Sequence, residues 1–453
     1  MIYLEFSKKC LSEKQYLCEI IFNEFLGLQY SLKISDIQDF KITFRNGREL
    51  IIEDHFFSKF RSGIDLERLS VPESVNWGSS DFFPEDKMPI LFGDNKISVT
   101  EGMIFCCIDV FATIFFMLSR WEEIVNKTRD RHERFPAIQS LAYKNGFLYR
   151  PLVDEYVEVL WNMMKQLDSS LQRRKNAGST IISCDVDAPF EPGVRSLFRL
   201  ARSCSGDLVK RASPVRAIKR LINFALFRFG NYSFDLNYTF DWYLQILEAG
   251  KLKGVFYFIP DNSEPGNGLY ELQNEEIKKL LLKIDSYGHE IGVHGSYQSF
   301  NDAEKICSQK KRLEDFLEKI GIDRKVEGNR QHYLRLDVSV TPDLLEKAGF
   351  KYDSSGGFAD SPGFRFGTAK EFSMWSWATR KKLKLKQRPL ICMECSVIAE
   401  NYLALGYSLK ARELMAGLKA KSLYYNGNFV LLWHNSSLQS KSEKEMFVEI
   451  INS

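Results

Sequence analysis

Apolar and polar positions give the two halves of the chain different rhythms. From residue 179 onward, short apolar runs alternate with segments whose apolar residues recur at helical spacing. Residues 179–184 and 254–259 read as short, continuously apolar strands, as expected when helices cover both faces of a sheet. Residues 240–247, 275–287 and 302–320 read as helices; in the last, Ile306, Leu313, Phe316, Leu317 and Ile320 follow helical spacing and Gly321 closes the element. Residues 342–348, with Thr341 as cap and Pro342 in the first turn, predict another helix, and 430–433 a late strand. This alternation predicts an α/β domain with a parallel sheet or barrel. Residues 1–175 instead mix short strands (40–44, 49–52, 89–92) with helices near 12–27, 105–125 and 151–167, the pattern of a smaller α+β domain. The polar stretch 171–178, ending in Gly178, is the predicted linker, so the expected domains are 1–175 and 176–453.

Composition narrows the class. A chain of 453 residues that is 44% hydrophobic and 27% charged can bury a large core, which argues against a mainly disordered protein. Its nine cysteines are odd in number and lack framework spacing, so a disulfide scaffold is not expected and a reducing, cytoplasmic setting is. Cys392 and Cys395 form a lone C-x-x-C with no second pair, and read as buried thiols. The opening Met1-Ile2-Tyr3-Leu4-Glu5 lacks the basic-then-apolar order of a signal peptide. The apolar run 102–118 carries Asp109 near its centre and reads as a buried helix, not a membrane span.

The net charge of +3 says little, but its distribution is uneven. Between Arg195 and Arg228 the chain carries nine basic residues against the single acid Asp207, interleaved with Leu, Ile and Phe. This basic amphipathic insertion, near 191–232, fits two readings: solvated helix faces, or contact with an anionic partner, either a diphosphate-linked sugar or the inner face of a membrane carrying one. Nucleic acid is disfavoured because no recognition motif accompanies the charge. A second basic run, 380–386, alternates in its later part like an exposed strand.

Polar residues gather after the apolar runs of the second half. Asp185 and Asp187 flank Val186 just past a predicted strand, where one carboxylate can hold a metal while the other takes a proton from water. A turn with Asx hydrogen bonds is the competing account of that pair. His294 also sits at a strand end, and imidazole beside a carboxylate suits zinc or another divalent transition ion. Arg330 can pair with Asp185, and His434, after the strand 430–433, can reach the same cleft as a general acid. Each of these residues alone would more often be structural.

Together the patches resemble the motif series of the polysaccharide deacetylase family of carbohydrate esterases. Ser183-Cys184-Asp185-Val186-Asp187 resembles its Thr-Phe-Asp-Asp, and Gly288 to His294 its Gly-His-Glu-Ile-Gly-Asn-His. Arg330-Gln331-His332-Tyr333 resembles its Arg-x-Pro-Tyr, and Leu432-Trp433-His434 its final Leu-x-His. Arg330 to Arg335 and Asp353 to Thr368 resemble a bacterial subgroup associated with surface-polysaccharide biosynthesis, whose members carry an uncharacterised domain before the catalytic one.

The resemblance implies a distorted β/α barrel, a divalent metal, zinc in the first instance, and removal of an acetyl group from an N-acetylated sugar of a glycan or glycan precursor. Carried over residue by residue, it makes Asp185 the base, Arg330 its partner, His434 the acid, and the backbone amide of Tyr333 the oxyanion donor. Asp187 and His294 become metal ligands; the second metal histidine, four positions after the first, falls on Gln298, a weaker oxygen donor. Glu394 is a further, weaker candidate for the shell. Gln298 and Val186 leave two other functions open: a glycan-binding module with a degraded metal site, or, from the basic insertion, a membrane-surface interaction protein.

Overall fold

The structure is a computed structural model that describes residues 1–453 except 61–63, 66–70 and 175–176. The proposed domain boundary at 175/176 lies outside the described residues.

The first region is built on a six-stranded sheet. Its chain opens with β1 (Ile2–Phe6), α1 (Leu11–Cys18) and a π-helical turn Glu19–Phe25, which return the chain to β2 (Tyr30–Ile34), parallel to β1. The hairpin β3 (Phe40–Thr43) and β4 (Glu49–Ile52) follows, and β5 (Asn76–Gly78) pairs with β6 (Met88–Ile90) as a separate ribbon. With β7 (Gly93–Val99) and β8 (Met103–Ile108), the main sheet runs in the order β2-β1-β3-β4-β8-β7. The expected helix 105–125 is corrected here: residues 103–108 form β8, and the helical part is α2 (Val110–Ser119) and α3 (Trp121–Val125). Asp109 makes the switch, because its Oδ1 accepts from the Ala112 amide (2.8 Å) and its Oδ2 from the His55 amide (2.9 Å). It caps the helix instead of interrupting it. The short α4 (Leu141–Lys144) and the amphipathic α5 (Leu152–Leu167) complete the region. Among the described residues no helix is long and apolar enough to cross a membrane.

The second region holds a nine-stranded sheet. Its first strand, β9 (Thr180–Val186), is followed by the basic insertion, which folds into α6 (Leu197–Val209) and α7 (Pro214–Phe227). Then α8 (Phe240–Ala249), β10 (Lys253–Phe258), α9 (Glu275–Ser286), β11 (Glu290–Gly295), α10 (Ala303–Lys319), β12 (Gly328–Gln331), α11 (Thr341–Lys347) and β13 (Tyr352–Asp353) alternate; the helices and β10 fall where the sequence predicts them, and β12 and β13 are strands it did not mark. An antiparallel pair, β14 (Phe372–Ser376) and β15 (Lys381–Gln387), precedes β16 (Cys392–Met393), α12 (Glu394–Ile398), α13 (Leu409–Tyr424), β17 (Phe429–Leu432) and α14 (Lys441–Asn452). The order is β14-β15-β13-β12-β11-β10-β9-β17-β16, parallel throughout except for β14.

The expected distorted barrel differs from the hydrogen bonding seen: among the described residues no ladder joins β16 back to β13, β14 or β15. The two edge strands are β14 and β16, and β16 is only two residues long. The loop after β13 spans the gap instead, with the Gly363 amide donating to the Ile391 carbonyl (2.8 Å) and Ser396 Oγ to the Ala359 carbonyl (2.7 Å).

That same loop joins the two regions, across which one hydrophobic core is continuous. Arg365 donates from Nε and NH2 to the two oxygens of Glu123 (3.0 and 2.6 Å), and Arg120 Nε donates to Glu123 Oε1 (2.8 Å). All three side chains are almost fully buried. Thr368 Oγ1 and Lys370 Nζ donate to Asp154 (2.9 and 2.7 Å), Tyr16 to the Ser373 carbonyl (3.0 Å), and Trp377 Nε1 to the Ser119 carbonyl (2.9 Å). Gly363 and Gly367 sit at positive φ (133° and 68°) in this joint; a β-carbon on Gly363 would press the Leu148 carbonyl at 2.7 Å.

Candidate metal centre

Each candidate side chain sits at or just beyond the carboxyl end of a parallel strand, where such sheets open a cleft. Asp185 and Asp187 end β9, His294 is on β11, Arg330 on β12 with His332 just after it, Glu394 follows β16, and His434 follows β17. Parallel pairing sets His294 beside Arg330.

The residues converge. His294 Nε2 lies 3.3 Å and His332 Nε2 3.5 Å from Asp187 Oδ1, and one donor atom from each of the three falls within 4.8 Å of the others. Metal–ligand bonds of about 2.0–2.2 Å in a tetrahedron put donor atoms about 3.4 Å apart, so the two measured separations fit one ion. Asp187 Oδ1 is buried yet has no hydrogen bond of acceptable geometry, which also suits a cation at that point. His294 Nδ1 donates to the Arg330 carbonyl (2.8 Å), which aims Nε2 at Asp187. Burial pushes the Asp187 carboxyl up, but the His332 and His294 rings outweigh it and hold the group well below the usual carboxylate range. These donors therefore fit a divalent ion of the zinc type.

His332 was missed by sequence reasoning. It stands where the quoted Arg-x-Pro-Tyr pattern has proline, and a histidine at that point was the available signal. Gln298, four residues past His294, is exposed, whereas His294 and His332 are buried. The reason is local: β11 ends at Gly295, and the turn that follows carries residue 298 outward instead of continuing a helical face.

Two groups flank the donors. Asp185 Oδ1 takes Arg330 NH1 at 3.3 Å, and its Oδ2 is 3.7 Å from His294 Nε2. Arg330 is fully buried and also donates to Ser183 Oγ (2.9 Å), the Ser354 carbonyl (3.1 Å) and Ser354 Oγ (2.8 Å), with its guanidinium 4.8 Å over the Tyr257 ring. His434 Nδ1 donates to Glu394 Oε1 at 2.6 Å, and its Nε2 faces Asp187 Oδ2 at 3.8 Å. Burial alone would push the His434 pKa down; the Glu394 charge and hydrogen bond outweigh it and raise it to about 10. Glu394 is thus the partner of His434 and not a member of the donor cluster. Burial pushes the Cys392 and Cys395 thiols up and both are free, so neither offers a thiolate.

Tyr333 occupies left-handed backbone (φ 60°), as does Leu334 (φ 57°), a conformation that costs a non-glycine residue about 1–2 kcal/mol. The first region holds this turn in place. Arg134 NH1 donates to the Tyr333 carbonyl (2.9 Å), Arg134 Nε to Asp130 Oδ2 (2.8 Å), and the His132 ring lies 4.7 Å from that of Tyr333. Arg134 also lines the cleft, a cavity of about 220 Å³ that reaches Asp187, His332, Tyr402 and His434. Nothing in the sequence pattern flagged Arg134. With the Tyr333 amide in the oxyanion role that the resemblance implies, Arg134→Ala should lower turnover by about 10- to 100-fold with a smaller change in KM, because a displaced turn misplaces that amide; steady-state kinetics with Arg134→Lys as the milder variant checks this.

Residues 2–169 match a family of unknown function, DUF7033. No curated protein matches the chain. Among solved structures, a candidate polysaccharide deacetylase from Mycobacterium smegmatis is similar at 17% identity and TM-score 0.38, over 62% of this chain and 85% of that one. A probable polysaccharide deacetylase from Pseudomonas aeruginosa PAO1 is similar at 13% identity and TM-score 0.36, over 60% and 84% of the two chains. Puue allantoinase is similar at 13% identity and TM-score 0.35, over 60% and 83%. The family match covers less than half of the chain and the structural likenesses are loose, so the side chains carry the functional reading.

Proposed function

We propose that this protein is a metal-dependent hydrolase that removes the acetyl group from an N-acetylated sugar of a glycan or glycan precursor. The observation that carries the reading is the convergence of Asp187, His294 and His332 on one point, with Asp185–Arg330 and His434–Glu394 beside it. Three protein donors would leave a fourth position open toward the cavity, the arrangement of a catalytic rather than a structural zinc site. A divalent ion held there would polarise the acetyl carbonyl and lower the pKa of water from 15.7 toward about 7.

The chain's own residues supply the rest. Asp185, oriented by Arg330, takes the proton of the attacking water as its oxygen bonds to the carbonyl carbon. The Tyr333 amide, fixed by the strained turn, donates to the oxygen that becomes negative. His434, with its pKa raised to about 10, enters the step protonated at neutral pH and gives its proton to the sugar nitrogen as the C–N bond breaks. The products are acetate and a free amine. The case for a binding module with a degraded site rested on Gln298 and Val186; His332, as a third donor beside Asp187 and His294, answers the first of these.

Acetate release from N-acetylglucosamine oligomers and from a nucleotide-linked N-acetylhexosamine, with zinc added and then chelated, tests the reading. Release that stops on chelation and returns with metal supports it; no release from either class, with no divalent ion bound, rejects it. The pH profile gives a second check. Glu394→Gln removes the charge that raises His434, and an opposite charge this close is worth about 1–3 pKa units, so the alkaline limb of kcat should move down by that much. An unmoved limb would mean that His434 is not the acid.

A further inference from the structure

The helices α6 and α7 divide their apolar residues between two sides. The inner side is mixed: Leu200 and Ala217 are buried and Phe227 packs on Phe190, but Asp207 and Asn223 are fully buried with them, Arg220 Nε donating to Asp207 Oδ2 (2.5 Å) and its NH1 to Glu191, and Asn223 Nδ2 to Asp235 Oδ2 (2.8 Å). Arg216 NH2 adds a bond to Gln439 Oε1 (2.9 Å), fastening the hairpin to the loop after β17. The outer side is apolar. On α7, Ile218, Leu221, Ile222 and Ala225 stand at i, i+3, i+4 and i+7 and so share one face, and all four are exposed, Ile218 by 55%. Phe229, just beyond the helix, is 86% exposed, and on α6 Phe198 and Val209 are 77% and 83% exposed. An amphipathic helix of a globular domain turns its apolar stripe inward; this hairpin turns one apolar face out, and no described residue of the chain covers it.

Charge indicates what that is. Arg199, Arg202, Lys210, Lys219 and Arg228 are exposed around the apolar face, while the only acid between 195 and 228, Asp207, is buried beneath it and paired to Arg220 and Arg211. A second copy seated face to face would bring two cationic rims together at a cost. An anionic bilayer matches both features at once: acyl chains for the apolar face and headgroups for its basic rim. We infer that the α6–α7 hairpin docks this protein on the surface of an anionic phospholipid membrane, lying in the interface without crossing it. The hairpin follows β9, its first helix beginning ten residues past Asp187, in the connection that leaves the strand end where the cleft opens. Docking therefore favours a substrate presented at that surface over one free in bulk water, a consequence that rests on the proposed activity, whereas the docking itself does not.

Co-sedimentation of the full chain with vesicles, read without any turnover, tests the inference. Binding to phosphatidylcholine vesicles containing about one-third phosphatidylglycerol should be at least about tenfold tighter than to phosphatidylcholine alone, and should weaken about tenfold when salt rises from about 0.1 to 0.5 M. The double variants Ile218→Asp/Leu221→Asp and Arg202→Glu/Lys219→Glu change solvent-facing positions only and should each lose about tenfold in binding, with the unfolding midpoint of the wild type. Absence of binding to anionic vesicles overturns the inference, as does equal binding by the aspartate variant. A dimer that the aspartate variant dissociates, in a protein that ignores vesicles, assigns the face to a second copy and overturns it too.

Discussion

Asp185→Asn is expected to lower kcat on an N-acetylated sugar by about 100- to 10,000-fold, the range over which a positioned general base acts, with the protein folded and its metal content unchanged. The substitution keeps the size and the Arg330 contact but removes a carboxylate that can accept a proton. It spares the donors because Asp185 lies outside the Asp187–His294–His332 cluster, 3.7 Å from His294 Nε2. Loss of metal together with activity would instead assign Asp185 to the ion, and the roles within the Asp185-Val186-Asp187 patch would have to be exchanged. Unchanged turnover would remove it as the base.

Glu123→Ala is expected to destabilise the fold by about 3–5 kcal/mol, the cost of taking one partner out of a buried ion pair. Glu123 holds Arg365 through two hydrogen bonds and Arg120 through a third, with all three side chains shielded from water. Without it, two buried guanidinium groups face each other, and only Arg120 keeps a second acid, Glu122 (3.0 Å). Because Arg365 and Glu123 come from the two sheet regions, chemical denaturation followed by tryptophan fluorescence should show the loss across the whole molecule. A change below about 1 kcal/mol would mean that the joint is held by the apolar core alone.

Much of the second region was legible because its signals are local. Apolar runs bounded by polar residues give β9, β10, β11 and β17, and glycine stops give the ends of α9 and α10. The site residues that follow those strands were legible for the same reason: strand ends are where side chains are held at a cleft. Three things were not. The 103–108 strand was hidden because its apolar run joins that of α2, and only Asp109 marks the junction. The lack of a ladder between the edge strands β14 and β16 depends on contacts between segments far apart in the chain. Arg134 reaches the cleft from the first region through a contact nearly 200 residues apart in sequence, which no periodicity encodes.

The patch 353–368 taught a different lesson. In the sequence it stands only as part of the subgroup resemblance; in the structure its polar residues brace the site from behind. Ser354 takes Arg330, Asp353 holds Ser355 Oγ (2.7 Å) and Asn329 Nδ2 (2.9 Å), and Arg365 and Thr368 bind the first region. Gln298 and His332 mark the opposite case, in which the family resemblance nominated one residue and geometry another.

Those two residues supply the most direct test. Metal analysis of protein purified without chelator, with zinc titration of the wild type, His332→Ala and Gln298→Ala, reads the donor set itself. The account predicts about one divalent ion per chain in the wild type and in Gln298→Ala, with a loss of at least about tenfold in affinity in His332→Ala. A wild type that binds no divalent ion, or one that loses it through Gln298→Ala while His332→Ala keeps it, would contradict the account.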